Sequence, residues 1–142
     1  MSYLLAYLAG GFGGWLFEHA QQSKAHDRFL EKIGLGSLPF SNGYGLAMVF
    51  LLFVHRSKPT ANIWEAALFC GLFFTALECA NGPIGQALYG LRNWHYTGAD
   101  AFCNGYAALR VAIVWILLSL LILLLLEKLD NPLEAAAHPF KK

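Results

Sequence analysis

The chain has 142 residues, of which 57% are hydrophobic and only 13% are charged, and its formal net charge is +1. A domain of this size cannot bury so many apolar side chains in its own core, so part of its surface must face lipid. The near-neutral charge and the lack of a Lys/Arg-rich block argue against a nucleic-acid-binding protein. The composition therefore predicts a single domain in the lipid bilayer.

Four apolar stretches predict an all-α integral membrane bundle of about four transmembrane helices. The expected spans are, approximately, residues 2–18, 42–55, 62–80 and 107–126. They form one domain, residues 1–130, and a short polar tail, residues 131–142, follows it. The last span is the clearest, because about 20 residues at 1.5 Å per residue cross the hydrocarbon core of a bilayer.

The ends of the spans carry their own signals. The chain starts with Met-Ser-Tyr-Leu-Leu, which lacks the basic region of a signal peptide, so we expect the first span to be retained. Asn62 and Glu65 have the spacing of a capping box and predict the start of the third span.

Residues 83–91 are apolar but too short to cross, and we expect them to lie in the interface or to re-enter the membrane. Four aromatic residues near span ends are expected to be interfacial anchors: Tyr3, Trp64, Trp94 and Tyr106.

Antiparallel threading of four spans puts residues 19–41 and 81–106 on one side of the membrane, the loop side. The N-terminus, the turn at residues 55–61 and the C-terminal tail then lie on the other side. Lys and Arg are divided almost evenly between the sides, so the positive-inside rule alone does not orient the chain. The short basic turn and the Lys-ending tail favour cytoplasmic N- and C-termini, in a bacterial inner or plasma membrane.

Small residues predict close helix packing on two spans. One face of the first span carries small residues at intervals of four and then a carboxylate: Ala6, Gly10, Gly14 and Glu18. Residues at this interval share one helical face, and small side chains let two helix backbones approach each other. Gly71 is expected to pack in the same way on the third span, on the face that carries Glu78.

Two carboxylates and one guanidinium fall on the loop side at one membrane depth: Glu18, Glu78 and Arg110. The loop between the third and fourth spans brings further candidates close to them in the topology: Trp94, His95, Tyr96 and Asn104. One interpretation is an interhelical ion pair in which Arg110 neutralises a carboxylate and fixes the bundle. The other is a polar pocket that binds a lipid headgroup, an ion or a small solute.

The three cysteines, Cys70, Cys79 and Cys103, are an odd number without a close pair, and they predict neither a disulfide framework nor a zinc site. His19 and His95 lie near two of them in the topology, but their spacing does not define a metal site, and we predict none. A pigment or haem on either histidine stays an open alternative, so the cofactor is unknown. The sequence carries no Walker A, G-x-S-x-G, H-E-x-x-H or C-x-x-C motif.

Several local patterns together resemble the ABC-transporter type IV (CmpB-like) permease family, to which the TMEM229-type membrane proteins also look similar. Residues 14–18 resemble its G-W-x-x-E motif, and residues 34–39 and 43–45 its Gly/Pro-rich entry into the second span. Residues 76–78 resemble its third-span glutamate, and residues 93–97 and 102–105 its W-D-Y-S and f-N-x-x-G stretches.

This resemblance implies four spans and transport powered by another protein. It also implies one shared site, made of Glu18, Glu78, Trp94, Tyr96 and Asn104. His95 stands where the family tends to have Asp, so a role that depends on that Asp does not carry over.

The sequence thus predicts a non-catalytic accessory or permease-like subunit of a larger membrane complex. Its expected partners are the lipid bilayer and other membrane subunits, or further copies of itself. The alternative is a membrane enzyme in which Glu18 or Glu78 acts as a general base on a lipid or a peptide.

Overall fold

A computed structural model describes residues 1–20, 35, 38–58, 62–90 and 94–137. Within this part of the chain there are four α-helices: α1 (Tyr3–Ala20), α2 (Asn42–Ser57), α3 (Ile63–Tyr89) and α4 (Leu109–Ala137). Two short strands, β1 (Ala101–Phe102) and β2 (Ala107–Ala108), form an antiparallel hairpin around a single 3-10 turn at Cys103–Gly105. The protein is therefore mostly helical, as predicted, with one small hairpin that the sequence did not predict.

Two of the described helices are long and apolar enough to cross a membrane, by length and composition: Ile63–Tyr89 and Leu109–Leu129. Both leave large apolar side chains exposed, among them Leu68, Phe69, Leu72, Ile113, Val114 and Leu117. Side chains of this kind at the surface are expected where a helix faces lipid. Helices α1 and α2 have 18 and 16 residues, and their crossing of the membrane stays a prediction.

The chain forms two compact units, of which the first contains residues 1–58 and 122–142. Here α1 packs on α2 along its small residues: a Cβ atom on Gly10 would overlap Met48, and one on Gly14 would overlap Tyr44. Ala6, on the same face, is fully buried. The start of α2 is fixed by a hydrogen bond from the backbone N–H of Ser41 to the carbonyl of Gly11.

The second unit contains residues 59–121, and α3 is its longest element. The side chain of Asn62 accepts a hydrogen bond from the N–H of Trp64 at 2.9 Å and caps the helix where the sequence predicted its start. Helix α3 continues past residue 80, the expected end of the third span, through Pro83 to Tyr89, so residues 81–89 are helical; the bounds of the span itself stay a prediction. Gly82 explains this continuity in part: a proline clashes with the Cβ atom of the residue before it, and glycine has none.

In the second unit, α3 packs closely against the first half of α4. A Cβ atom on Gly71 would overlap the backbone and side chain of Ile116, and the rings of Phe74 and Trp115 lie 5.4 Å apart. Helix α4 begins at Leu109 and not at the predicted residue 107, because Ala107 and Ala108 pair with β1 instead.

Candidate functional site

Residues 94–108, which precede α4, are held by their own hydrogen bonds, and we call them the cap. Cys103, Asn104 and Gly105 have φ angles of 51°, 54° and 77°, so three successive residues are left-handed. Glycine is required at the last of them, since a Cβ atom on Gly105 would lie 2.7 Å from Cε1 of His95. The N–H of Tyr96 donates to the carbonyl of Gly105 at 2.8 Å and closes the cap.

The cap is attached to the last turns of α3 at two points. Cys79 and Cys103 form a disulfide bond. The ring of Tyr106 lies directly on Gly82, where a Cβ atom would overlap it, and its hydroxyl donates to the side chain of Gln86. These contacts hold the hairpin over the end of the helix.

Two sequence-based expectations fail at these attachments. The cysteines were not expected to form a disulfide, because a separation of 24 residues gives no pairing signal. Tyr106 was expected to be an interfacial anchor, but it is only 4% exposed and its backbone carbonyl accepts a hydrogen bond from Trp94 Nε1 at 2.8 Å. The disulfide also withdraws both sulfurs from the metal-ligand set that included His19 and His95. The described residues contain no group of three His, Cys, Asp or Glu side chains that could hold a metal ion.

Glu78 lies next to the disulfide, on the same face of α3 as Gly71 and Gly82, and is half-buried. The hydroxyl of Tyr96 in the cap donates to Oε1 of Glu78 at 3.4 Å. The second carboxylate oxygen, Oε2, is buried, and the indole N–H of Trp115 in α4 interacts with the carboxyl group. The carboxyl group of Glu78 thus lies between α3, α4 and the cap, with Tyr96 of the cap and Trp115 of α4 as its two neighbouring donors.

The phenol of Tyr96 stays neutral far above physiological pH. Burial is the main cause, and the negative charge of Glu78 acts in the same direction, so that together they raise the pKa of Tyr96 to about 12, although the charge of Arg110 opposes them. Tyr96 is therefore a permanent hydrogen-bond donor to Glu78 at neutral pH.

Arg110 does not pair with a glutamate in the way one interpretation of the sequence required. Its guanidinium forms an ion pair with Asp100, and its second amino group donates to the carbonyl of Thr97 at 2.9 Å. The backbone N–H of Arg110 also donates to Asp100, at 3.1 Å. Asp100 thus joins the base of the cap to the start of α4, and no motif or spacing in the sequence pointed to it.

The second unit brings together six of the candidate residues at or beside the cap: Glu78, Trp94, His95, Tyr96, Asn104 and Arg110. His95 and Asn104 are exposed, whereas Trp94 and Tyr96 are half-buried. Glu18 lies near the end of α1 in the first unit, half-buried and on the helix that carries Gly14. Its membership of the same cluster stays a prediction.

A family model described as "Putative ABC-transporter type IV" matches residues 5–138, which is nearly the whole chain. The chain belongs to this family. No curated protein and no solved structure matches it significantly. The family match confirms the resemblance to CmpB-like proteins, and with the two apolar helices it indicates an ABC-transporter-related protein of the membrane.

Proposed function

We propose that this member of the ABC-transporter type IV family is a non-catalytic, permease-like or accessory subunit of a larger membrane complex. The observation that carries the proposal is the half-buried Glu78 carboxylate, which the cap contacts in the C-terminal half of a helix with an apolar, exposed surface. A carboxylate in such a helix costs free energy and is typical of sites that contact an ion, a solute or a headgroup. The sequence has no nucleotide-binding motif, so any energy input must come from another subunit.

A purely structural role explains Glu78 less well. The cap is already held by the Cys79–Cys103 disulfide and by Tyr106 on Gly82. The bond from Tyr96 to Glu78, at 3.4 Å, is long for a hydrogen bond between oxygens and adds little to that attachment. If position 78 only had to hold the cap, a glutamine or a leucine would do so without a buried charge.

The proposal includes four spans with cytoplasmic N- and C-termini. Disulfides form and persist in oxidising compartments, which favours an extracytoplasmic position for the cap. Arg56 and Lys58 precede the other end of α3, where the positive-inside rule places basic residues on the cytoplasmic side. In this topology the C-terminal end of α1, which carries Glu18, lies on the extracytoplasmic side of the membrane.

The experiment is a purification of the tagged chain from its native membrane in a gentle detergent, followed by mass spectrometry and an absorbance scan. We expect other membrane proteins in stoichiometric amounts, together with a nucleotide-binding subunit. A chain that elutes alone would contradict the proposal and favour a self-sufficient membrane protein, such as an enzyme that uses Glu18 or Glu78. A bound chromophore would also support an accessory subunit, and it would assign His19 or His95 to a pigment or haem.

A further inference from the structure

The two cysteines of the disulfide differ in how far a reagent can reach them. Cys103 lies in the turn of the cap hairpin and is exposed, whereas Cys79 lies on α3 and is half-buried. Thiol–disulfide exchange requires a thiolate to reach one of the two sulfurs, and exposed disulfides are the labile ones in folded proteins. The folded chain therefore offers Cys103 as the point of attack in preference to Cys79.

The backbone at each end of the disulfide is under constraint. Cys103 has a φ angle of 51°, a left-handed conformation that costs free energy in a residue other than glycine and persists only when its surroundings impose it. On the helix side, Pro83 has no N–H, so it cannot donate the helical hydrogen bond to the carbonyl of Cys79. Breaking the disulfide therefore releases a turn that can relax from a helix that already has one bond fewer.

Contacts other than the disulfide hold the cap next to α3 and α4. Tyr106 packs on Gly82 and donates to Gln86, and Asp100 pairs with Arg110 at the start of α4. We expect these contacts to keep the two thiols near each other after reduction, so that the disulfide can form again. Reduction is then a reversible change of the cap and not its loss.

We propose that the Cys79–Cys103 disulfide is a redox switch of the cap, which a dithiol protein opens by attack on Cys103. A thiolate of the dithiol bonds to Sγ of Cys103, the bond between the two cysteine sulfurs breaks, and Cys79 leaves as a thiolate. The second thiol of the dithiol then displaces Cys103, so that two electrons and two protons pass to the chain and the partner becomes a disulfide. The turn at Cys103 is then free to leave its left-handed conformation. This inference goes beyond the proposed subunit role and does not depend on it.

The first test identifies the attacked sulfur in the wild-type chain. The probe is a thioredoxin whose second active-site cysteine is replaced by serine, so it attacks a disulfide but cannot complete the exchange. The mixed disulfide then accumulates, and peptide mapping shows which cysteine carries it. We expect the adduct on Cys103, with Cys79 present as a thiol. An adduct on Cys79, or no adduct in the folded protein, would overturn the inference.

Cys70 shows whether the exchange takes place in the folded protein. It is a free cysteine on α3 and is completely buried. We expect dithiothreitol to make Cys79 and Cys103 available to iodoacetamide, while Cys70 stays unlabelled until a denaturant is added. If all three cysteines become labelled together, the disulfide opens only when the protein unfolds, and it is not a switch.

Hydrogen exchange measures what reduction does to the cap. The backbone N–H groups of Tyr96 and Tyr106 donate within the cap, and we expect reduction to speed their exchange by about tenfold or more. The N–H of Ser41, which donates to Gly11 in the first unit, should exchange at an unchanged rate. A variant with both Cys79→Ser and Cys103→Ser should show the faster exchange with or without reductant. Equal exchange of the cap in oxidised and reduced wild type would overturn the inference, because the disulfide would then restrain nothing.

Discussion

The contact between Tyr96 and Glu78 pairs a neutral phenol with a carboxyl group in a partly buried position. Each residue determines what the other can do: the phenol provides a donor at any physiological pH, and the carboxylate raises the pKa of the phenol. Because the folded protein holds the Tyr96 proton more tightly than an unfolded chain does, this contribution to stability is present at neutral pH and is lost only at high pH.

Replacing Tyr96 with Phe should lower the free energy of unfolding by less than about 1 kcal/mol, because its hydrogen bond is long. The pKa of Tyr96 is raised from 10.0 to about 12, so its stabilising effect is complete below pH 10 and is lost as the pH rises to 12. The measurement is the melting temperature of both proteins at several pH values in detergent. A wild-type advantage that disappears between pH 7 and 9 would contradict the assignment.

Sequence reasoning found several of these residues for a simple reason. Glu78 stands out because a carboxylate at the end of an apolar run is visible in one dimension, and Tyr96 because residues 93–97 resemble a stretch of the family. Asp100 was missed, since an aspartate in a polar loop looks like any solvated residue until its partner Arg110 is placed beside it. The disulfide was missed for a related reason, because Cys79 and Cys103 are brought together only by the cap.

The cap and the C-terminal half of α3 are joined by a covalent bond and by side-chain packing, so we expect them to unfold together. The disulfide closes the chain between the last turns of α3 and the hairpin, and Tyr106, three residues after Cys103, packs on Gly82 inside the closed loop. Constraining such a loop reduces the conformational freedom of the unfolded chain, which is the main source of stabilisation in the loop-entropy model.

Changing both Cys79 and Cys103 to Ser should lower the free energy of unfolding by about 3 kcal/mol, as expected for a closed loop of this size. The loss is measured by denaturant titration of the purified protein. Dithiothreitol should destabilise the wild type to a similar extent and leave the double variant unchanged. If the reductant has no effect on the wild type, the disulfide does not hold the cap.

Two neighbouring glycines of α1, Gly13 and Gly14, provide a matched test of how α1 packs on α2. A Cβ atom on Gly14 would overlap Tyr44, whereas one on Gly13 would meet nothing within 4 Å. We expect Gly14→Ala to destabilise the protein by about 1–3 kcal/mol through overpacking, and Gly13→Ala to be neutral or stabilising. Melting temperatures in detergent decide this, and equal effects of the two changes would contradict the packing of α1 on α2.

At the scale of the whole molecule, the sequence predicted the helical class and the positions of the helix starts better than their ends. The start of α2 at Asn42 agrees with the sequence, because the Gly/Pro-rich stretch before it cannot continue a helix. The end of α3 does not agree with the sequence. In the sequence, Gly82-Pro83 looks like the end of a helix, but the folded helix accommodates both residues and continues to Tyr89. The number of crossings depends on α1 and α2, whose glycines weaken the apolar signal on which such a prediction relies.

The position of each loop relative to the membrane is the claim on which the four-span topology and the proposed subunit role depend. Single cysteines at Leu38, Ser57 and Ala99 can be tested with a membrane-impermeant maleimide in intact cells, in a Cys70→Ser background that keeps the disulfide. All three positions are exposed in the structure, so a failure to react reports the membrane side and not burial.

We predict that Ala99→Cys and Leu38→Cys react in intact cells, and that Ser57→Cys reacts only after permeabilisation. Labelling of Ala99→Cys with protection of Leu38→Cys would show that α1 and α2 do not cross, and would contradict the four-span account. Protection of Ala99→Cys would place the cap in the cytoplasm and contradict the proposed orientation.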